Sequence, residues 1–276
     1  NPCPFGSASS SLAEGTTKMK KFHFIYDHNK KARRLKKIIS KKFKNYSPKN
    51  CSHIIILGGD GFMLRNLKKY YHYKKPFYGI NCGTYGFLMN NPNIQNLEKK
   101  IIKSKKNIIN TLQVKCNYNG GLKKNLIAIN EISVYRQSKQ TASLTISVGK
   151  KQIIKKLIGD GILVSTPAGS TAYNLSVHGP ILPLNSGKLA ITPISPFRPR
   201  RWKGKVVSNN SKIQIKNLNS KKRPIAAVAD NVELRNIENL NILNNKKIKI
   251  TLLFDTNSNL TKKIKSEIKL QKKAFQ

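Results

Sequence analysis

Two glycine-rich turns, each tied to a lone aspartate, could do chemistry in this chain. The first closes the apolar run His53-Ile54-Ile55-Ile56-Leu57 as Gly58-Gly59-Asp60-Gly61. The second opens at Asp160-Gly161, runs through Ile162–Ser165 and continues as Thr166-Pro167-Ala168-Gly169-Ser170-Thr171-Ala172-Tyr173. Glycines at a strand end let backbone N–H groups come close to a phosphate. A carboxylate at the same place can take a proton from a sugar hydroxyl as that hydroxyl attacks a phosphate. The sequence holds 53 Lys and Arg against 11 Asp and Glu, so an acid beside glycine at the end of a buried strand is not there for solubility.

Other segments offer binding chemistry. Asn130-Glu131 ends the run Leu126-Ile127-Ala128-Ile129, and an amide beside a carboxylate can donate to and accept from two vicinal hydroxyls. A surface turn would look the same. Gly169-Ser170-Thr171 reads as a helix opening with small donors, an anion or carboxamide site, and Tyr173 can stack on a ring. A capped helix at a domain junction is the structural alternative. For Asp60 that alternative is a helix N-cap. Arg65 could face phosphate or solvent. The loop Phe197–Trp202, with its prolines, reads as structural.

Together with Asn81-Cys82-Gly83-Thr84-Tyr85-Gly86-Phe87-Leu88, these segments resemble the NAD kinase family, from about Met19 to about Asp255. The resemblance implies phosphorylation of the adenosine ribose 2′-hydroxyl of NAD by ATP, with Asp60 as proton acceptor and Gly61 in the phosphate loop. It assigns Asn130, Glu131, Asp160, Ala168, Thr171, Ala172, Tyr173, Asn174, Leu175, Ser176 and Asn231 to the dinucleotide. It implies a homo-oligomer, dimer or tetramer; the sequence shows no dedicated carboxylate cage, so Mg²⁺ is expected to travel with the phosphates, with no metal-ligating side chains. Lipid and sugar kinases that share Gly-Gly-Asp-Gly are the nearer alternative, but they leave Asp160–Ser176 unexplained. A non-catalytic polyanion-binding protein is the other. The formal net charge of +42 favours it, yet the lysines are dispersed and no specific nucleic acid is expected. There is no P-loop signature and no G-x-G-x-x-G after the first strand.

The elements that must position these residues follow from hydrophobic periodicity. Strands at Phe22–Tyr26, His53–Leu57 and Phe77–Asn81 alternate with helices at Lys30–Phe43, about Phe62–Tyr71 and Ile94–Ser104. That order predicts an α/β N-terminal domain with a parallel sheet. Short strand-like runs then dominate: Ile109–Tyr118, Leu126–Tyr135, Ser143–Val148, Ile153–Ile158, Ile162–Ser165, Lys212–Ile215, Pro224–Ala229 and Ile248–Phe254. The prediction is an α/β nucleotide-binding domain over 19–112, a β-rich dinucleotide-binding domain over 113–256, and a helix over 257–276 packing back on the first. Residues 1–18 read as a disordered tail before a natural start at Met19. No apolar run reaches the roughly 20 residues of a membrane span. Four dispersed cysteines and five histidines without metal-ligand spacing fit free thiols in a reducing cytoplasm.

Overall fold

The computed structural model describes residues 20–84, 86–118, 121–256 and Lys263. The predicted tail over 1–18 and, Lys263 aside, the predicted helix over 257–276 lie outside these residues. The first part runs β1 (Phe22–Tyr26), α1 (Lys30–Lys42), β2 (His53–Gly58), α2 (Asp60–Tyr70), β3 (Phe77–Asn81) and α3 (Leu97–Lys103). Asn29 caps α1 by accepting the Ala32 N–H at 2.9 Å. The long strand β4 (Lys105–Tyr118) follows, then β5 (Lys123–Ala128), β6 (Glu131–Arg136), β7 (Ala142–Val148), β8 (Lys151–Gly159) and β9 (Gly161–Ser165). A 3₁₀ turn at Ala168–Thr171 leads into one helical turn, α4 (Tyr173–Ser176). The chain continues through β10 (Lys188–Ile194), β11 (Lys205–Ser208), β12 (Ile213–Asn217), β13 (Ile225–Ala229), β14 (Val232–Leu234) and β15 (Ile237–Phe254).

Strands β1, β2 and β3 pair in parallel, as the alternating pattern predicts. Strand β15 then pairs in parallel with β3 at one end and antiparallel with β12 at the other, while β4 runs antiparallel along its whole length. Among the described residues one nine-stranded sheet therefore runs from the α/β part into the β-rich part. The second sheet, of six strands, has the order β11-β10-β9-β6-β13-β14. Side chains alternate across a strand, and β2 uses both faces. Ile54 and Ile56 join Met63 and Leu67 of α2, whereas Ile55 and Leu57 join Ala32 and Ile39 of α1. The third cluster lies between the two sheets, with Leu112, Ile146, Ile215 and Leu240 facing Ile132, Val134, Val164 and Ile191.

Three differences from the sequence reading have physical causes. The apolar run Leu126–Tyr135 is two strands in different sheets. The N–H groups of Ile129, Asn130 and Glu131 turn to the Asp230 carboxylate and leave the ladder between them. The segment Lys188–Ile194 is a strand that the sequence reading missed, because it contains Pro193. Proline is tolerated here: β11 pairs only with Lys188–Ile191, so no donor is required at Pro193 on that side. Helix α2 begins at Asp60 rather than near Phe62.

Asn90 holds the end of the parallel sheet together. It is 1% exposed, donates to the Leu253 carbonyl at 2.9 Å and accepts the Asp255 N–H at 2.9 Å. Asn90→Ala would leave both backbone groups without partners. A cost of about 1–3 kcal/mol for each is expected, read as a fall of several degrees in Tm by calorimetry.

Candidate functional site

Gly58 is glycine because α2 turns back hard against the strand end. A Cβ there would meet Phe62 at 2.6 Å. Gly59 and Gly61 differ, since a Cβ on either meets nothing within 4 Å. The backbone beside Asp60 is thus open to an approaching group. Asp60 is the first residue of α2, and its side chain does not cap its own helix. Its Oδ2 accepts the Phe87 N–H at 2.8 Å and its Oδ1 accepts the Leu88 N–H at 3.1 Å. The carboxylate thereby fixes the loop after β3 and keeps lone pairs free on both oxygens. Burial pushes the Asp60 carboxyl up from its ordinary range; the two N–H donors and the Lys263 ammonium act against that. Lys263 donates to the carbonyls of Gly86, Phe87 and Met89.

Asn130 ends the turn after β5 and Glu131 opens β6; they are 8% and 9% exposed. Asn130 Oδ1 and Glu131 Oε2 are buried and have no hydrogen-bond partner. Two adjacent orphaned acceptors are costly unless a ligand satisfies them. Burial, and then the nearby Asp230 carboxylate, push the Glu131 carboxyl up to about 8, with Lys68 opposing. The turn itself hangs on Asp230, a non-glycine residue with φ 53°. Its carboxylate accepts Ile129, Asn130 and Glu131 N–H groups at 2.8, 2.7 and 3.2 Å. It also pairs with Lys68 Nζ of α2 at 2.8 Å. Lys68 further donates to the Ala229 carbonyl at 3.0 Å and to Asn231 Oδ1 at 3.4 Å.

The segment after β9 closes over this turn. A Cβ on Gly169 would lie 2.3 Å from the Asn130 carbonyl oxygen, so only glycine permits the contact. Thr166 donates its N–H to that same carbonyl at 2.8 Å and its hydroxyl to Ile129 O at 2.7 Å. Ala168 packs with Ile129, Met63 and Leu67 in one cluster. The predicted helix opening is shorter than its sequence suggests, a 3₁₀ turn followed by a single helical turn. Small buried residues, Gly169, Ser170 and Thr171, supply the shape there rather than a long helix dipole. Asn174 spends its amide internally, donating to Pro180 O at 2.9 Å and accepting the Thr192 hydroxyl at 2.7 Å.

Tyr173 and Tyr135 lie 6.0 Å apart between ring centroids. Burial, and then Tyr135, Asp160 and Glu131, push the Tyr173 phenol up to about 12. Asp160 and Glu131 are therefore both near enough to act on Tyr173. Asp160 is paired with Arg136 Nε at 2.5 Å and is half-exposed. Asn231 follows Asp230, beside Lys68, while Ala172, Leu175 and Ser176 flank Tyr173. Arg65 is exposed and lies over the Phe62 ring. Asp60 makes no hydrogen bond to the other candidates among the described residues; α2 and Lys68 connect it to them. Sequence reasoning missed Lys68, Tyr135 and Arg136 and did not single out the Asp230 carboxylate. Lys68 stands two helical turns beyond Asp60 among many lysines, so no sequence signal marks it.

Asp230→Ala would strand three N–H donors and leave the Lys68 ammonium without its counter-charge. We expect a loss on the order of 3–5 kcal/mol, and a smaller one for Lys68→Met, whose partner keeps its N–H bonds. Denaturant titration of both variants checks the order. The raised Glu131 carboxyl gives a separate expectation. Folded Glu131 keeps its proton up to about pH 8, whereas the unfolded chain releases it near 4.5, so this group's effect on stability becomes less favourable as pH rises between those values. Glu131→Gln should thus raise Tm relative to the parent at pH 8 and change it little at pH 4, as melting curves at the two pH values would show.

The chain matches two family models, described as the ATP-NAD kinase N-terminal domain over residues 8–106 and the ATP-NAD kinase C-terminal domain over residues 129–239. An NAD kinase of Zymomonas mobilis is 43% identical over 252 residues, covering 91% of this chain and 98% of that one. An NAD kinase of Rickettsia akari is 41% identical over 247 residues, covering 90% and 97%. Among solved structures, the fold is similar to a yeast NADH kinase complexed with NADH (TM-score 0.69, 21% identity, 84% of this chain and 75% of that one). It is also similar to an Archaeoglobus fulgidus NAD kinase in complex with ATP (TM-score 0.68, 23% identity, 90% and 98%). Similarity this extensive, over both halves that build the site, has one reading: the chain belongs to the NAD kinase family.

Proposed function

We propose that Asp60 is the base in this chain's kinase reaction and that the Asn130–Glu131 turn holds the dinucleotide. The reaction transfers the terminal phosphoryl group of ATP to the adenosine ribose 2′-hydroxyl of NAD, giving NADP. As the hydroxyl oxygen bonds to phosphorus, its proton passes to Asp60 and the bond to the leaving ADP breaks. The raised Asp60 carboxyl is a stronger base than an exposed aspartate, and open backbone at Gly59 and Gly61 leaves room for phosphates. The observation that carries the reading is the orphaned pair Asn130 Oδ1 and Glu131 Oε2. Ribose hydroxyls would supply their missing donors. Tyr173 would stack on a ring of the substrate, with Asp160, Ala168, Thr171 and Asn231 around it. Asn174 contributes by fixing the loop.

Among the described residues no cluster of three or more His, Cys, Asp or Glu could hold a metal ion. Mg²⁺ accordingly enters in this reading as the counter-ion of the ATP phosphates, keeping most of its water. No helix of the described residues is long and apolar enough to cross a membrane. Cys51, Cys82 and Cys116 are buried free thiols, which supports a reducing, cytoplasmic setting. Homo-oligomerisation rests on the family resemblance. Membership of the NAD kinase family leaves the lipid-kinase, sugar-kinase and polyanion-binder readings without support.

Incubation with NAD, Mg²⁺ and either ATP or polyphosphate, with NADP as the readout, tests the reaction and its donor together. Asp60→Asn should lower turnover by about 10²–10⁴-fold while NAD affinity by calorimetry stays within a few-fold. The amide also turns an NH₂ toward Phe87 or Leu88 N–H, so a modest loss of Tm is expected alongside. Turnover near the parent's would remove Asp60 from the base role. The rate should rise with pH through a midpoint above the ordinary aspartate range, because Asp60 must lose its proton to act, and then level off. A flat profile across pH 4–7 would contradict this.

A further inference from the structure

Two adjoining cavities lie at the far end of α2 from Asp60. The first, about 210 Å³, is walled by Tyr71, Ile127, Ile129, Ile248 and Ile250, with Lys68 and Thr111 completing the lining. A cavity of about 150 Å³ is enough to take benzene. Thr111 is 1% exposed, and its hydroxyl oxygen has no hydrogen-bond partner. The second, about 290 Å³, shares Tyr71 and Ile250 as a wall and is lined by Lys74, Lys75, Lys246, Lys247 and Lys249. Among the described residues no carboxylate lines either cavity.

Lysines are common in this chain, and most need no explanation. These five differ because irregular backbone gathers them around a concavity. Lys74 takes the left-handed conformation, φ 54°. Lys246, Lys247 and Ile248 bulge out of β15, between the pairs Asn245–Thr111 and Lys249–Asn110. None of the five forms an ion pair among the described residues. Five like charges around one hollow repel one another, and an anion would offset that. At 1.5 Å rise per residue, Tyr71 stands roughly 16 Å from Asp60, so these cavities lie away from the candidate base.

We propose that the two cavities form a regulatory site for a phosphorylated small molecule with a planar apolar body, the nucleotide class. The ring lies among the isoleucines, with a polar ring atom on the Thr111 hydroxyl. The phosphates lie on the five lysines. The site reaches the chemistry through residues already described. Lys68 lines the first cavity and holds Asp230; Ile129 lines it too, and its N–H rests on the same carboxylate. Occupancy bears directly on the turn that carries Asn130 and Glu131.

Pyridoxal 5′-phosphate, an aromatic phosphate that forms borohydride-reducible imines with lysine, is a suitable probe. The full chain is labelled without nucleotide, reduced with borohydride, freed of excess probe, mapped by peptide mass spectrometry and assayed. Label should concentrate on the five lysines and change the rate of NADP formation. Lys74→Gln/Lys75→Gln/Lys246→Gln/Lys247→Gln should keep the basal rate and melting curve, bind the probe about tenfold more weakly, and lose the rate response. Thr111→Val should fold normally and bind it several-fold more weakly. Label spread over exposed lysines, unchanged affinity in either variant, or cavity labelling with no change in rate would overturn the proposal. The map and the affinities do not depend on the kinase reading, so failure of one is distinguishable from failure of the other.

Discussion

The Asp230 carboxylate carries the geometry of the site. Four donors converge on it: three backbone N–H groups from the turn at 129–131 and the Lys68 ammonium from α2. Its side chain is only 4% exposed. Burying such a charge is favourable only when its partners are complete, which here they are. The same contacts break the run Leu126–Tyr135 into strands of two different sheets. They also turn Asn130 and Glu131 inward with acceptors to spare. Because Lys68 is on the helix that begins at Asp60, one ion pair fixes the candidate base and the candidate ribose-binding turn relative to each other.

Burial governs the acids more than net charge does. In a chain with a formal net charge of +42, long-range attraction would hold carboxylates ionised. Asp60 and Glu131 nevertheless both move upward, because loss of hydration at short range outweighs a screened field from dispersed lysines. The two are opposed differently. Asp60 receives two backbone N–H bonds and a nearby lysine, whereas Glu131 faces the like charge of Asp230. The distant lysines make a field that attracts anions; neighbours within a few ångströms set how the acids behave.

Strand β15 joins the two halves. It lies beside β3 at one end and β12 at the other, with β4 along its length. The hydrogen-bonded sheet crosses from the α/β part into the β-rich part. The candidate site lies where α2, the Asn130 turn and the loop after β9 pack into one cluster above that sheet.

The sequence by itself determined the parallel strands, the helices between them and the identity of the chemical groups. Glycine pairs, lone acids and apolar periodicity are local signals, and β1 and β3 fall at the residues that periodicity marks. It also marked Asp60, Asn130, Glu131 and Tyr173 through their neighbours in the chain. Only the tertiary structure decided that Asp60 braces the loop at Phe87 and Leu88, that Lys68 and Asp230 join, and that Gly169 must be glycine to clear Asn130. Those facts depend on residues separated by tens to more than a hundred positions, and a one-dimensional pattern carries no record of which distant groups meet. The strand at Lys188–Ile194 was hidden for the same reason: whether Pro193 is tolerated depends on the absence of a neighbour, which only the assembled sheet reveals.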